Sequence, residues 1–487
     1  MSKDRPSSPC LPPSSVYVSA LSTAPQDTDY PELSNAVPRT PALSVFRSLL
    51  ASSGLDQARY GSPAWNPLGE WMPRGARIVI KPNWVIHRNG SGCGLDCLIT
   101  DSAVLEALLE YVFKTGPSQV VLGDAPIQGC DFEQLVEASG IDEMIGRFQD
   151  RGLEVSVRDF RQMILPGGLL WSEQQSSGRT SDDYVLFDLG SDSDLEEVTT
   201  PSTPFRVTMY DPDALRRTHG PGKHQYLVAR EIIDADVVLN VPKLKTHKKA
   251  GLTGALKNIV GINGLKDFLP HHRKGGSAEQ GDCYAGSSRL KGLAEQLLDS
   301  ANRSSSGARK YVLARSASAA IHLCSLLGQD RNVEGSWHGN DTVWRMCLDL
   351  QRILHYGTCE GRLASEPARK VLTVTDALVA GEGEGPLAPT PVPLGMLTMG
   401  TNTAAVEWVN ALLMQLDPSS ISLVRESFAN RPWLANFAPE AIQIVDSQGK
   451  ISSSELVLRY SRAFQAPRGW AGRCELHSTS PSLRKAC

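Results

Sequence analysis

The sequence predicts an α/β protein with a mostly parallel sheet, helices on both faces in a Rossmann-like arrangement, and an inserted, partly polar segment. Compact apolar runs such as "ARIVIKPNWV" and "SQVVLGDAPIQGC" end in loops of Gly, Asp or Pro, which is typical of buried strands. Between these two runs lies "TDSAVLEALLEYVFKTG", whose apolar residues recur at helical spacing. Strand, helix and strand in this order indicate a βαβ unit and therefore a parallel sheet.

The first elements follow a lead-in, residues 1–41, that is rich in Ser and Pro and that we expect to be disordered. The segment "ALSVFRSLLASSGL" then has the apolar spacing of a helix. In the helix of the βαβ unit, Thr100 or Asp101 can cap the first turn and Gly116 can end the last one.

The chain divides into two α/β parts on either side of a polar stretch. The N-terminal part covers residues 42–165 and ends with a third predicted strand, "GLEVSVRDFR". Residues 166–204 are polar and partly acidic, and they predict an insertion with loose loops. The C-terminal part covers residues 205–464, and we expect the tail, residues 465–487, to be disordered.

The C-terminal part begins with a buried strand at "DVVLNVP" and continues with a strongly periodic helix at "TVWRMCLDLQRILHYG". The segment "KVLTVTDALVAGEGEGPLAPTP" predicts a strand that runs into a loop dense with Gly, Glu and Pro. A capped helix at "GTNTAAVEWVNALLMQLDP" and a last ordered element at "ELVLRYSRAF" complete the expected order.

Charge and composition limit the classes of function. The chain has 49 basic and 53 acidic residues, yet residues 241–276 carry eight Lys or Arg against a single acid, Asp267. Such a concentration of positive charge favours a local anion site over general coating of nucleic acid. The ten cysteines are scattered and form no CxxCxxCxxxCP run, so no iron–sulfur motif is present. Without an apolar run of membrane-spanning length, we expect a cytoplasmic protein with neither membrane nor nucleic acid as partner.

Four loops after predicted strands carry the candidate site residues, and in a parallel sheet these loops gather at one edge. Lysines beside glycine-exposed backbone N–H groups suit phosphate or carboxylate, and histidine has the pKa for proton transfer near neutral pH. The candidates for binding a substrate anion are Lys81, Asn83, Lys243, Lys245, Thr253 and Asn258. The candidate catalytic residues are His247, Lys257 and Asp124. A solvated basic face is the alternative.

A divalent metal is left open by the sequence. Histidines and carboxylates in the same loops are possible ligands, but their spacing matches no standard zinc signature, so hydrogen-bonded loop histidines are the alternative. The candidate metal ligands are His271, His272, Asp282, Asp376 and Glu382.

Several segments resemble the family called domain of unknown function 362. They are "KPNWV", "GDAPIQGCDF", "DVVLNVPKLKTHKKAGLTGALKNIVG", "PHHRKG", "WHGNDTVWRM", "DALVAGEGEGP" and "GTNTAAVEW", and the resemblance covers about residues 65–418. It implies an α/β fold and no agreed reaction. Many members carry a ferredoxin-like cysteine cluster, which this chain lacks, so that role does not transfer.

The central segment is also similar to that of the lactate racemase family, whose members bind a nickel-pincer nucleotide with lysine and histidines. By that analogy, His247 and Lys257 are the positions of interest. Two residues depart from the pattern of the domain of unknown function 362 family: Glu407 stands where many relatives have aspartate, and Cys283 stands where close relatives have an acid.

Together these features predict an enzyme that acts on an anionic small metabolite, phosphorylated or carboxylated, in a biosynthetic pathway, with its reaction left open. The alternatives are a non-catalytic binding protein for a phosphorylated ligand or cofactor, and a metal or redox protein. We further expect the loops at Lys81, Asp124, Lys243–Lys257 and Asp376 to converge in one cleft. The lead-in should be dispensable for folding, and Lys257 should matter more for anion binding than Lys249, which we expect to be solvated.

Overall fold

The structure is a computed structural model that describes residues 11–24, 30–34, 37–166, 174–207, 210–477, 480 and 482. Its strands are β1 (Ser15–Ala20), β2 (Arg77–Pro82), β3 (Gln119–Asp124), β4 (Ser156–Asp159), β5 (Met163–Ile164), β6 (Gln175–Ser176), β7 (Tyr184–Asp188), β8 (Phe205–Arg206), β9 (His219–Gly220), β10 (Lys223–Ala229), β11 (Val237–Val241), β12 (Lys243–His247), β13 (Gly251–Thr253), β14 (His272–Arg273), β15 (Lys370–Glu384), β16 (Ala388–Gly400), β17 (Gln443–Asp446) and β18 (Gly449–Ile451). Its α-helices are α1 (Pro41–Ser52), α2 (Pro67–Trp71), α3 (Ser102–Lys114), α4 (Phe132–Ala138), α5 (Ile141–Gln149), α6 (Pro212–Thr218), α7 (Arg230–Asp234), α8 (Arg289–Asn302), α9 (Gly307–Leu326), α10 (Val343–Tyr356), α11 (Thr403–Leu413), α12 (Ser422–Ser427) and α13 (Ser453–Tyr460).

A large mixed sheet organises the molecule. Its strands lie in the order β18, β17, β1, β16, β15, β11, β2, β3 and β4, and β12 pairs with both β15 and β13. The block from β15 to β4 is parallel, whereas β16 runs antiparallel to β1 and to β15. The prediction of an α/β fold with a mostly parallel sheet is therefore confirmed, and its Rossmann-like detail stays a prediction. Among the described residues, no helix is long and apolar enough to cross a membrane.

Both faces of the sheet are buried, because successive side chains of a strand point to opposite faces. In β2, Ile78 and Ile80 belong to the core that contains α1 and α3, whereas Val79 belongs to the core that contains α10 and α11. A strand covered on both sides needs apolar residues at consecutive positions, which explains the continuous apolar run in the sequence.

The predicted helix starts are confirmed by the capping contacts. The side chain of Thr40 accepts a hydrogen bond from the backbone N–H of Leu43 at the start of α1, and Asp101 accepts one from Ala103 at the start of α3. Gly116 follows the end of α3 with a φ of +67°, in the left-handed region that glycine adopts at low cost.

The lead-in contains an integral strand of the sheet. β1 is buried along its whole length and pairs with β16 on one side and β17 on the other. The prediction of disorder through residue 41 is therefore wrong for residues 15–20. The apolar run of β1 is short and flanked by Ser and Pro, and the partner strands of β1 lie far along the chain. Residues 1–10, 25–29 and 35–36 of the lead-in lie outside the described residues.

The polar insertion also contributes to the core. β7 pairs with β10, and Tyr184, Phe187 and Leu195 are all buried. The prediction of loose loops is therefore wrong over residues 174–204, because a few apolar residues among many polar ones are enough to attach the segment. Residues 167–173 lie outside the described residues.

The C-terminal tail packs onto the sheet. Trp470 is buried and its Nε1 donates a hydrogen bond to the backbone oxygen of Lys248 at 3.0 Å, and Cys474 is buried as well. The prediction of a disordered tail is wrong for residues 465–477. Residues 478–479, 481 and 483–487 lie outside the described residues.

The segment predicted as a loop of Gly, Glu and Pro forms a long hairpin instead. β15 continues to Glu384 and pairs with β16, in which Pro389, Pro391 and Pro393 lie opposite β15. The prolines are tolerated because β1, the other neighbour of β16, pairs only further along, at residues 396–399.

Candidate functional site

A cavity of about 120 Å³ that opens to solvent lies at the carboxyl ends of β2 and β3 and beside the segment that follows β11. The strand order reverses at this point, because β3 and β4 extend from one side of β2 while β11 and β15 lie on its other side. Ligands of open α/β sheets bind at such a reversal. We call it the lysine cavity, because it is lined by Lys81, Lys245, Lys257 and Lys266.

Lys81 and Asp124 form a buried ion pair at one wall of the cavity. Nζ of Lys81 lies 2.8 Å from Oδ1 of Asp124, and it also donates to Asn258 Oδ1 at 2.9 Å. The Asp124 carboxylate accepts the backbone N–H groups of Trp84 and Ala125 at 2.7 and 2.8 Å. Burial lowers the pKa of Lys81 and raises that of Asp124, and each charge offsets part of the effect on the other. The pair is thus fully engaged within the protein, which leaves Asp124 poorly placed to exchange protons.

Lys245 is buried and held by neutral oxygens. Its Nζ donates to Oδ1 of Asn83 and to the backbone oxygen of Leu98, and it forms no ion pair with a described residue. Burial, with the nearby charge of Lys243, lowers the pKa of Lys245 well below its ordinary value. A lysine in this state can act as a base or a nucleophile.

Two asparagines connect these lysines. Asn258 Oδ1 accepts from both Lys81 Nζ and Asn83 Nδ2 at 2.9 Å, and its Nδ2 donates to Asn240 Oδ1 at 2.8 Å. The amide groups of Asn83 and Asn258 are therefore occupied by protein partners. They position the lysines, and their predicted role in binding the substrate directly stays a prediction.

Lys257 and Lys266 provide the charge that the protein itself does not neutralise. Neither Nζ has a hydrogen bond or an ion pair with a residue in the described part of the chain, although both side chains line the cavity. Burial lowers the pKa of Lys257, and it lowers that of Lys266 to about 8. Oγ1 of Thr253, a third lining residue, is also buried without a partner among the described residues. These groups are free to contact a ligand.

His247 presents a hydrogen-bond donor to the cavity. Its Nδ1 accepts the backbone N–H groups of Lys249 and Ala250 at 3.0 and 3.1 Å, so the proton of the neutral ring must lie on Nε2. Burial, with the charge of Lys257 nearby, lowers the pKa of His247 well below its ordinary value and keeps the ring neutral. With one nitrogen used as an acceptor and the other protonated, this ring has no lone pair left for a proton or a metal.

His271 has the opposite tautomer. Its Nδ1 lies 2.7 Å from the backbone oxygen of Leu269, which can only accept, so Nδ1 carries the proton and Nε2 keeps its lone pair. His271 also lines the cavity, and burial lowers its pKa well below the ordinary value. His271 therefore offers the acceptor nitrogen that the sequence assigned to His247.

Close packing explains two of the glycines of the basic segment. A Cβ on Gly261 would lie 1.8 Å from Oδ1 of Asp124, and a Cβ on Gly254 would lie 2.0 Å from Oε2 of Glu407. Glu407 is buried in α11 and accepts the N–H groups of Ala255 and Leu256 at 2.6 and 3.2 Å. The carboxylate thus anchors the turn that leads to Lys257, which begins a 3₁₀ helix.

The fourth predicted loop only partly reaches the cavity. Asp376 forms a buried ion pair with Lys243, with Nζ 2.6 Å from Oδ2, so neither residue lines the cavity, and this loop contributes Pro386 instead. Glu382 accepts the backbone N–H of Gln465 at 2.7 Å, away from the other candidates. The prediction that all four loops converge is therefore confirmed for three of them, and is wrong for Lys243 and Asp376.

The metal candidates are separated by the fold. Asp282 uses its carboxylate to accept from Thr342 Oγ1 at 2.6 Å and from the backbone N–H of Asp341 at 2.9 Å. His272 lines a different cavity from its neighbour His271. The five residues proposed from sequence therefore do not form one cluster.

Sequence reasoning overlooked Lys266 as a candidate and assigned His271 to a metal alone. Both lie in the same glycine-rich basic segment as the chosen residues, 241–276, and that shared segment was the available signal. What the sequence could not reveal is that the chain turns back after Lys257, so that residues 266 and 271 return to the same cavity.

The molecule is thus an α/β protein with a lysine-lined cavity at the carboxyl edge of its sheet. The model of the family described as domain of unknown function (DUF362) matches residues 78–172 and 192–411, and the chain belongs to this family. The matched ranges contain all the lysines and histidines that line the cavity.

Two known proteins are similar to this chain at low sequence identity. A thylakoid-associated protein of Synechocystis sp. is 20% identical over 357 residues, which cover 73% of this chain and 68% of that protein. A crystal structure of a protein from Thermotoga maritima is 12% identical with a TM-score of 0.28. That match covers 69% of this chain, which spans only 54% of the Thermotoga chain.

Proposed function

We propose that the chain is an enzyme that binds a small anionic metabolite, phosphorylated or carboxylated, in the lysine cavity and transfers a proton to or from it. The observation that carries the proposal is that Lys245, Lys257 and Lys266 line one cavity and form no ion pair with any described residue. A cytoplasmic location and a biosynthetic role are part of the same proposal.

The charge balance of the cavity supports an anionic ligand. Four lysines and one aspartate line it, which leaves three positive charges in excess when all are ionised and two when Lys245 is neutral. Buried charges without partners oppose folding, and functional sites are where proteins keep them. An anion would neutralise the excess and accept hydrogen bonds from the free Nζ groups and from Thr253 Oγ1.

The volume of the cavity limits the ligand. The cavity volume of about 120 Å³ is roughly four times the volume that one molecule occupies in liquid water. It is well below the volume of pockets for drug-sized ligands, which is about 300 Å³ or more. The cavity therefore suits a phosphate or carboxylate group with a few attached carbons. A larger metabolite would have to leave its remainder outside.

The two histidines support proton transfer. Nε2 of His271 can accept a proton, while Nε2–H of His247 can donate a hydrogen bond to an oxygen on which negative charge develops. Burial, together with the charges of Lys249 and Lys257, holds the pKa of His271 low, and a bound anion would offset those charges and raise it. Substrate binding would thereby make His271 a stronger base.

The experiment has a binding arm and a turnover arm. Calorimetry with inorganic phosphate and a panel of small phosphorylated and carboxylated metabolites should give binding to the full chain that is lost in Lys266→Met and kept in Lys450→Met. Lys450 is an exposed lysine in β18, at the far edge of the sheet. Equal binding by both variants would refute the anion site.

Turnover is tested in deuterated water by NMR. We expect bound metabolites to exchange hydrogen at a carbon next to the anionic group, and His271→Gln should abolish the exchange while leaving affinity within about threefold. If compounds of the panel bind but none of them exchanges hydrogen, the proposal that the protein is an enzyme is refuted. That result would favour the alternative, a non-catalytic binding protein.

A further inference from the structure

A second cluster lies on the other side of the segment that carries His271. One ring nitrogen of His272, Sγ of Cys283 and a carboxylate oxygen of Glu295 all lie within 4.8 Å of one another. These residues, the His272 cluster, come from β14, from the loop after it and from α8. Because adjacent residues of an extended chain point in opposite directions, His271 lines the lysine cavity and His272 does not.

The His272 cluster contains a polar atom that the protein leaves unsatisfied. His272 is 4% exposed, and its Nδ1 is buried with no hydrogen-bond partner among the described residues. A cavity of about 30 Å³ lies beside the three side chains, and this is enough for one water molecule or one ion. An unsatisfied nitrogen beside a space of this size is a place where a bound group would restore a missing contact.

The chemistry of the three side chains selects the ligand. Imidazole nitrogen, thiolate sulfur and carboxylate oxygen are the three types of protein ligand that bind zinc. We propose that His272, Cys283 and Glu295 bind a zinc-type divalent ion. The ligand atoms would approach one another to about 3.5 Å, the separation given by bonds of roughly 2.0–2.3 Å in a tetrahedral site. A fourth position remains for water or for Glu334, which lines the same cavity.

The surrounding contacts are compatible with this ion. Arg206 also lines the cavity, but Asp299 neutralises its guanidinium with contacts of 3.0 and 2.9 Å. The Cys283 sulfur accepts the backbone N–H of Glu334 at 3.2 Å, but burial and the neighbouring Glu295 raise the pKa of this thiol well above its ordinary value, so it is protonated before an ion binds. On metal binding the Cys283 thiol would release its proton to solvent, as thiol ligands do.

The ion would join β14 to α8 and so help to hold His271 at the lysine cavity. This inference does not depend on the proposed function, because the ion would lie outside the lysine cavity. Its role would be to position the segment.

The test uses the metal-free full chain and cobalt(II), which reports thiolate ligation by a charge-transfer band in the near ultraviolet. We expect one cobalt per chain with this band, displaced by zinc. Cys283→Ser should lose the band, and Cys130→Ser, which replaces another buried cysteine, should keep it. Absence of the band in the full chain, or its persistence in Cys283→Ser, would overturn the proposal.

Two further variants keep the test decisive if Cys283→Ser does not fold. His272→Gln and Glu295→Gln retain the thiol and remove one other ligand each, and both should weaken cobalt binding at least tenfold. Zinc should also raise the melting temperature of the full chain and not that of these variants. Unchanged cobalt affinity in both variants would overturn the three-ligand site.

Discussion

Replacing Lys257 with methionine should weaken anion binding and stabilise the ligand-free protein at the same time. Lys257 is 9% exposed, lines the lysine cavity and has no partner among the described residues. Methionine has a similar length, so Lys257→Met removes the charge while filling most of the same space. Affinity falls while stability rises, because the charge of Lys257 attracts the anion but opposes folding when no anion is bound.

The magnitudes follow from the surroundings of the ammonium group. A hydrogen bond to a charged group contributes about 1.5–3 kcal/mol, so the dissociation constant for the anion should rise roughly 10–150-fold. Burial lowers the pKa of Lys257, which means that the charged form opposes folding. Removing it should raise the free energy of unfolding by about 1 kcal/mol, equivalent to about 1 °C in melting temperature for a chain of this length.

The assay combines calorimetric titration with phosphate and thermal unfolding with and without phosphate. Lys450→Met is the matched control, because Lys450 is exposed in β18. Lys249, which we expected to be solvated, is unsuitable: it is buried and its Nζ donates to the backbone oxygen of Glu334. The reasoning is refuted if Lys257→Met binds phosphate as well as the control does, or if it lowers the melting temperature.

Three other changes test the packing, the pH dependence and the order of the lead-in. Gly261→Ala should destabilise the protein by about 1–3 kcal/mol, because the added Cβ clashes with the buried ion pair. The control is Gly146→Ala in α5, where the space around the glycine is open. In urea denaturation this control should be neutral or stabilising by up to about 1 kcal/mol. Anion affinity should fall as the pH rises through about 8, where Lys266 loses its charge, and Lys266→Met should remove that step in a calorimetric pH series. Since this pKa lies below its unfolded value of about 10.4, the charge opposes folding below pH 8 and the penalty disappears between about 8 and 10.4. Val18→Ala in the fully buried β1 should cost about 2 kcal/mol, against less than about 0.5 for Leu21→Ala at an exposed position, and equal melting temperatures would contradict an ordered lead-in.

Local sequence was sufficient for the elements of the parallel block. β2, β3 and β11 are buried on both faces, and the resulting apolar runs are visible without any knowledge of their neighbours. Asp101 caps α3 through a contact only two residues away. Features of this kind depend on short-range chemistry, which the sequence displays directly.

Elements that depend on distant partners could not be predicted. β1 owes its order to β16 and β17, and the hairpin of β15 and β16 contains prolines that normally argue against a strand. Their stability comes from pairing across the chain, and no local pattern reports it.

Within the site, residue type was predictable and pairing was not. Sequence placed several lysines at one edge of the sheet, but it could not reveal that Lys243 is neutralised by Asp376 while Lys257 has no partner in the described part of the chain. The roles of His247 and His271 depend on single contacts to backbone N–H and C=O groups, which set the tautomers. Atomic contacts of this kind follow from the folded chain alone.

The position of β1 between β16 and β17 has a consequence for how the protein is made. β1 leaves the ribosome before both of its partner strands, which lie far along the chain from it. At roughly 5–20 residues per second, synthesis separates them by about 20–80 s. During that interval an apolar strand and the open side of the growing sheet are both available for wrong pairing, which is the condition that chaperones relieve. During synthesis, β1 can therefore take its place in the sheet only after β16 and β17 have left the ribosome.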